Sequence, residues 1–207
     1  MHLPDGIIPL DHVFFYWLIS LIAVGIFFFR LSKNKDQKER RIILTAILSA
    51  ATIIASSITV PSPFGIPIHF FLIPLVVIIL GPFNGIFTVF LALLVQTLIG
   101  LGGLTVLGVN IFVLGVILCL STYIFYTIVS RLNETIGVFL GTLLGILVAT
   151  LAHIIILVIA GLANLEMLLI TLIPFYLFIG IIEGFISAFI IQFIDKIKPE
   201  VLKLDKI

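Results

Sequence analysis

The chain opens with MHLPDG, and its first two residues carry the donor atoms of a metal chelate. The terminal amine of Met1 and the amide nitrogen and imidazole of His2 can close two fused chelate rings around one cation. These three nitrogens lie in a plane and leave one equatorial corner open, which the imidazole of His69 would fill. Planar four-nitrogen sites favour Ni(II) or Cu(II), and Co(II) accepts them, whereas zinc prefers a tetrahedron and calcium prefers oxygen ligands. We therefore expect a transition-metal site whose affinity rises with pH, because the amine and the amide must lose protons.

Each of these histidines also has a simpler interpretation. His2 would be part of a solvated chain end, since termini are usually disordered. His69 would be an interfacial histidine bonded to a backbone carbonyl. The metal interpretation requires Met1 to be the mature N-terminus, which we expect because no basic segment precedes the first apolar run and no small-residue cleavage site follows it. The bulky second residue also generally prevents removal of the initiator methionine.

The composition of the chain is typical of an integral membrane protein. Of the 207 residues, 62% are hydrophobic and only 10% are charged, and the mean hydropathy is +1.41. Soluble domains are near half apolar and a quarter charged, so the chain is predicted to be an all-α integral membrane protein with a single transmembrane domain over residues 1–207. The net charge of +1 gives no reason to expect a nucleic acid partner, and the single Cys119 excludes an internal disulfide and a cysteine-based metal cluster.

Seven apolar stretches, uncharged apart from Glu183 in the last, are predicted to form a bundle of about seven transmembrane helices, since a span takes roughly 20 apolar residues. The third is short and joined to the fourth by Gly81-Pro82, so one long kinked helix is the alternative. With seven spans, all eleven basic residues fall on one side, which the positive-inside rule makes cytoplasmic. The N-terminus is then outside, beside His69 at the outer mouth of the third span, and the C-terminus is cytoplasmic. The stretches are Val13–Phe29, Ile42–Val60, Ile66–Leu80, Phe83–Leu101, Val106–Ser130, Thr135–Gly161 and Met167–Ile194.

Other polar residues invite weaker assignments. His12 is interpreted as a membrane-interface histidine, and His153, within the sixth span, as a neutral histidine bonded to a neighbouring helix. Glu183 interrupts the last span and must be paired or protonated, so we assign it a structural or partner-coupling role rather than metal ligation. Asp5 is expected to form a turn before Gly6 and to accept hydrogen bonds from nearby amides.

Small residues at four-residue spacing predict close helix packing. Gly137, Gly141 and Gly145 would leave a groove on the sixth span. Ala46 and Ala50 give the same pattern on the second.

The sequence also resembles a known family. The opening MHLPDG is similar to the Met-His-x-x-Asp/Glu-Gly start of the CbiM/NikM group, the cobalt and nickel substrate-binding subunits of energy-coupling-factor transporters. The resemblance continues through the segments GIPIHFFLIPLVVIILGPFNGIFTVFLALLVQTLIGLGGLTVLGVNIF and GIIEGFISAFIIQFIDKIKPEVL. It implies a seven-helix subunit whose N-terminal strand dips into the bundle from outside.

In that family, the metal is held by groups that correspond to the Met1 amine, the His2 amide and ring, and His69. Asn110 then looks like a residue that orients an imidazole or the terminal loop, although a helix cap after the glycine loop is the open alternative. The pair Ala46 and Ala50 corresponds to a pattern that some such subunits use to dock their transmembrane partner.

The chain departs from the family in two places. Gly-Thr-Ser usually precedes the second histidine, where this chain has Gly65-Ile66-Pro67-Ile68, and Leu101 stands where a histidine or aspartate is frequent. These changes leave the ligands in place and put the metal preference in question.

The resulting prediction is a non-enzymatic membrane component of an ATP-driven importer of Ni(II) or Co(II) in a prokaryotic cell membrane, with no cofactor. No glycine is followed by lysine, so the phosphate-binding P-loop is absent and ATPase subunits must be separate. The expected partners are these ATPases, a transmembrane coupling subunit and a small accessory membrane subunit. Two alternatives stay open: a vitamin-binding subunit of the same transporter type, and an intramembrane enzyme using His153 and Glu183.

Overall fold

The computed structural model is a helical bundle, and it describes residues 3, 5–33, 38–60, 68–100 and 102–202. The predicted apolar stretches correspond to seven helical segments within this part of the chain. A short antiparallel pair, β1 (Thr59–Val60) with β2 (Ile68–His69), lies between the second and third. The helices are α1 (Leu10–Lys33), α2 (Lys38–Ser57), α3 (Ile73–Leu80), α4 (Pro82–Leu98), α5 (Leu107–Val129), α6 (Glu134–Ile159) and α7 (Leu165–Ile197).

Five of these helices, α1, α2, α5, α6 and α7, are long and apolar enough to cross a membrane. Helix α4 is shorter, with 17 residues. Two asparagines fix helix starts: the Asn133 side chain accepts a hydrogen bond from the Ile136 amide, and the Asn164 side chain accepts one from the Glu166 amide. The number of spans and the sides on which the termini lie stay predictions.

In the described part of the third predicted span, residues 68–80, the helix begins at Ile73. Helix α3 covers eight residues, all buried, which is about 12 Å of helix and well below the roughly 30 Å of the hydrocarbon core. Prediction of a helix from Ile66 was therefore wrong over Ile68 and His69, which pair with β1 instead. The physical reason is Pro74, because a proline fits the first turn of a helix and its ring clashes with the carbonyl four residues earlier in a helix interior.

Helices α3 and α4 are separate elements that fold back on each other, so the alternative of one long kinked helix is wrong. Gly81 between them has a φ of 88°, a conformation that favours glycine. A Cβ added at Gly85 would lie only 2.5 Å from the Val77 side chain, whereas residues eight apart in one straight helix are separated by about 12 Å.

The glycine repeat of α6 packs against α5, as its spacing predicted. A Cβ at Gly137 would approach the Ser130 backbone to 2.6 Å, and one at Gly141 would lie 2.9–3.0 Å from Tyr126. The opposite side of α6 receives α7, where a Cβ at Gly180 would lie 2.9 Å from Leu143. Helices α5, α6 and α7 therefore form the most closely packed part of the bundle.

Candidate metal site

His69 is held in a defined orientation by the end of α2. The His69 backbone pairs with Thr59 across the short β-ladder. Nδ1 of its half-buried ring lies 3.0 Å from the carbonyl oxygen of Ser56. A carbonyl only accepts, so Nδ1 carries the proton and donates, and the lone pair of the neutral ring lies on Nε2. Histidine ligands usually donate their second ring N–H in this way. The backbone bond that the simpler interpretation expected is thus also the arrangement that a metal ligand requires.

Ser56, whose carbonyl orients His69, is itself bonded through its side chain to α4. The buried Gln96 donates from Nε2 to the Ser56 hydroxyl oxygen at 2.7 Å. That hydroxyl donates to the Thr52 carbonyl oxygen at 2.6 Å. Sequence reasoning missed both Gln96 and Ser56, and the signal for Gln96 was an amide side chain deep inside an apolar stretch.

Asn110 contacts the N-terminal segment on both sides of one residue. The Leu3 amide donates to Asn110 Oδ1 at 3.0 Å, and Asn110 Nδ2 lies 3.4 Å from the Leu3 carbonyl oxygen, to which it donates. Asn110 is only 2% exposed and makes no cap bond at this helix. The structure therefore places Asn110 against the terminal loop, and the helix-cap alternative is wrong.

Asp5 connects the same segment to the glycine loop before α5. Its carboxylate accepts hydrogen bonds from the Leu104 amide at 2.9 Å, the Thr105 amide at 2.7 Å and the Thr105 hydroxyl at 2.5 Å. The Thr105 hydroxyl, followed by the loop amides, holds the pKa of Asp5 below its usual value of 3.8, against a smaller rise from partial desolvation. Asp5 thus accepts from amides, as predicted, but these amides lie about a hundred residues away instead of in its own turn.

The glycine loop, residues 102–106, and the start of α5 can lie this close because Gly103 and Gly108 have no side chain. A Cβ at Gly103 would lie 2.5 Å from the Asp5 amide nitrogen, and one at Gly108 would lie 2.6 Å from the Trp17 ring. Helix α1 contacts the other side of the loop: Trp17 Nε1 donates to the Thr105 carbonyl, and the Ser20 hydroxyl donates to the Gly108 carbonyl. The loop is held between α1 and the N-terminal segment.

Two of the three predicted ligands, Met1 and His2, lie outside the described residues. Among the residues that are described, no group of three or more His, Cys, Asp and Glu side chains is arranged to hold a metal. The ligand set of Met1, His2 and His69 therefore stays a prediction, of which the structure describes the His69 part and the anchoring of Leu3 and Asp5.

The remaining polar residues lie in different places. His12 is half-buried on α1. His153 is buried in α6, and among the described residues its Nδ1 has no hydrogen-bond partner, so the expected bond to a neighbouring helix is not observed for this nitrogen. Ala46 and Ala50 are both exposed on α2.

Glu183 accepts hydrogen bonds from the Phe71 and Leu72 amides through Oε1. The carboxylate is therefore bonded to the segment that carries His69, which agrees with the expected structural role. Sequence reasoning gave no indication of these two partners.

Comparison with known proteins identifies the family. A sequence model of the CbiM family, described as a cobalt uptake substrate-specific transmembrane region, matches residues 2–201. The chain belongs to the CbiM family. This confirms the resemblance, and with it a multi-pass membrane protein that is a cobalt/nickel transport component of the CbiM type. The family is one of transport proteins, so the intramembrane-enzyme alternative is wrong, and a vitamin-binding subunit is excluded with it.

Individual relatives of the CbiM family agree. A putative fused nickel transport protein NikMN of Archaeoglobus fulgidus is 28% identical over 209 residues, which cover 98% of this chain and 68% of that protein. A cobalt transport protein CbiM of Thermosipho melanesiensis is 34% identical over 146 residues, which cover 70% of this chain and 62% of the relative. A crystal structure of a transition metal transporter matches with a TM-score of 0.85 and 24% identity, over 95% of this chain and 93% of that one. At this identity the match shows a common fold.

Proposed function

We propose that this CbiM-family chain is the substrate-specific membrane component of an ATP-driven energy-coupling-factor importer, and that it binds Ni(II) or Co(II). The proposed ligands are the Met1 amine, the His2 amide and ring, and Nε2 of His69. The observation that carries the proposal is the bond from His69 Nδ1 to the Ser56 carbonyl. This bond fixes the tautomer, so a basic nitrogen is available to a metal before any metal arrives.

The anchoring of the N-terminal segment supports the same site. A ligand set that includes the chain terminus must overcome the conformational freedom of that terminus. Here the residue after His2 is bonded through both its amide and its carbonyl to Asn110, and Asp5 accepts three hydrogen bonds from the glycine loop. These bonds already restrict the N-terminal segment, so less conformational entropy is lost when the metal binds.

Energy for transport must come from other subunits. The chain contains no Gly-Lys pair and therefore no phosphate-binding P-loop, so we propose separate ATPase subunits and a transmembrane coupling subunit, with a small accessory membrane subunit. The exposed Ala46 and Ala50 of α2 are the proposed docking residues for the coupling subunit. Small exposed residues one turn apart let a partner helix approach closely.

Nickel and cobalt are both suitable cargoes for these nitrogen donors. The Archaeoglobus relative is named as a nickel transport protein, and the Thermosipho relative is named as a cobalt transport protein. Affinity for N-donor sites generally increases from Co(II) to Ni(II). We therefore propose that the purified protein binds Ni(II) at least as tightly as Co(II).

The proposal is tested at the terminal amine. Acetylation of the Met1 amine removes one donor and should lower Ni(II) and Co(II) affinity by at least about 100-fold, close to the effect of H69A, because either change removes one of four ligands. Isothermal titration calorimetry on the purified full chain measures both. His12→Ala serves as the control, since it removes a histidine outside the proposed ligand set. Wild-type affinity in the acetylated protein would contradict the proposed site.

A further inference from the structure

The segment that carries His69 is held by α7 as well as by α2. Phe71 and Leu72 both donate their amide hydrogens to Oε1 of Glu183, and the Leu72 bond is 2.9 Å. Phe71 also stacks on Tyr176, with ring centroids 6.3 Å apart and an interplanar angle of 26°. Tyr176 and Glu183 are seven residues apart on α7 and therefore lie on the same face, two turns from each other.

The geometry of the segment explains why it needs this support. Leu72 has a φ of 50° and is the non-glycine residue with positive φ in the described part of the chain. A left-handed conformation is unfavourable for a residue with a Cβ, so a chain free to relax would leave it. The amides of Phe71 and Leu72 precede α3 and have no helical partner of their own. Glu183 satisfies both, and it is 1% exposed, so the bonds form away from water.

We propose that Glu183 is a positioning residue for metal binding: by accepting from Phe71 and Leu72, it holds the bend that places the His69 imidazole. His69 lies only two residues before Phe71, and its ring bond to Ser56 fixes the other side of the same segment. The imidazole is thus held between α2 and α7, and a change in the Glu183 bonds alters the position of His69. This inference rests on the proposed function, because it assumes that His69 binds the metal.

The positioning role requires the acceptor oxygen of Glu183. Two substitutions distinguish the effect of this oxygen from the effect of side-chain size. E183Q keeps a side-chain oxygen in place and can still accept from both amides. E183L has a similar size and no acceptor, so it leaves two buried N–H groups without partners. The matched control is Ser187→Ala, which changes a buried polar residue one turn further along α7.

The experiment measures Ni(II) affinity and the d–d absorption spectrum of bound Ni(II) with the full chain in detergent. E183L should lose about 10- to 100-fold in affinity, the usual effect of disturbing a residue that orients a ligand. Its spectrum should shift towards that of H69A, which a general loss of stability would not cause. E183Q and S187A should keep the wild-type spectrum and an affinity within about three-fold. Should E183L fail to fold, E183A, which removes the acceptor without adding bulk, takes its place with the same expectation.

Two results would overturn the positioning role: a wild-type affinity and spectrum in E183L, or equal losses in E183L and E183Q, since the latter retains the acceptor. A measurement without metal separates this inference from the proposed function. Amide hydrogen exchange of the peptide containing Phe71 and Leu72 should be faster in E183L than in wild type and unchanged in S187A. If the wild-type protein binds neither metal, the proposed function fails, and the exchange rates alone support or overturn the role of Glu183.

Discussion

At the residue scale, the pair Asn110 and Leu3 shows how a side-chain amide can fix a chain end. A backbone residue outside regular structure has one donor and one acceptor to satisfy, and an amide side chain offers the complement of both. Both residues are buried, so water cannot replace either bond. Aspartate in place of Asn110 would retain the acceptor for the Leu3 amide at 3.0 Å, whereas at this buried position its second oxygen can keep the longer contact at 3.4 Å only when it is protonated.

This difference gives a prediction for two variants at one position. N110L leaves the Leu3 amide and carbonyl buried without partners, each at a cost of about 1–3 kcal/mol, and we expect Ni(II) affinity to fall about 10- to 100-fold. N110D should lose less than N110L, because the shorter bond is kept. Calorimetric titration of both variants checks the order. A smaller loss in N110L than in N110D would mean that the side-chain bonds to Leu3 do not contribute to binding.

At the element scale, the sequence predicted where most helices lie, because uncharged apolar runs bounded by charged or glycine residues are typical of membrane helices. It failed where hydrogen bonds between distant residues decide the conformation. The segment before α3 depends on Glu183, more than a hundred residues later, and no local pattern indicates such a contact. The π-helical turn Ile111–Ile117 within α5, directly after Asn110, also had no sequence signal.

The site shows the same division between local and distant information. His69, Asn110 and Asp5 could be selected from the sequence, because their types and positions relative to the apolar runs are unusual and the family resemblance reaches them. The partners that orient them could not. Ser56 and Gln96 are common residue types, and their roles follow only from the packing of α2 against α4.

The glycine contacts between α5 and α6 yield the prediction at this scale. G141A places a methyl group 2.9–3.0 Å from Tyr126, including its backbone, so the two helices must separate. Overpacking of this kind costs about 1–3 kcal/mol. Gly25 of α1 is the matched control, because a Cβ there would meet nothing within 4 Å and alanine favours the helix by about 0.5–1 kcal/mol. Thermal unfolding in detergent should therefore show a lower midpoint for G141A and an unchanged or higher one for G25A. Equal midpoints would contradict close packing of α5 on α6.

At the scale of the whole molecule, the candidate site and the basic residues lie at opposite ends of the long helices. The site residues are found at the start of α1, the end of α2 and the start of α5. The basic residues lie at the end of α1, the start of α2 and the end of α7, where Arg40 approaches Glu200 to 3.9 Å. Since basic ends usually face the cytoplasm, this arrangement supports the expectation that the site faces outwards. Metal release then requires the whole subunit or its site to become accessible from the other side.

The proposed function requires a coupling subunit that drives this movement from outside the bundle, and this proposal can be tested on α2. The variants A46L and A50L enlarge two side chains that are exposed and one turn apart, so a partner helix could no longer approach closely. We expect Ni(II) binding by the isolated chain to stay within about three-fold of wild type, because neither residue contacts the site, while metal uptake by cells that express the complete transporter falls at least about ten-fold. Co-purification of the coupling subunit should fall in parallel. The control Ile124→Phe enlarges a residue of a different helix, α5, that is 54% exposed and should leave uptake unchanged. Normal uptake in both A46L and A50L, or an equal loss of uptake in the control, would place the docking surface elsewhere.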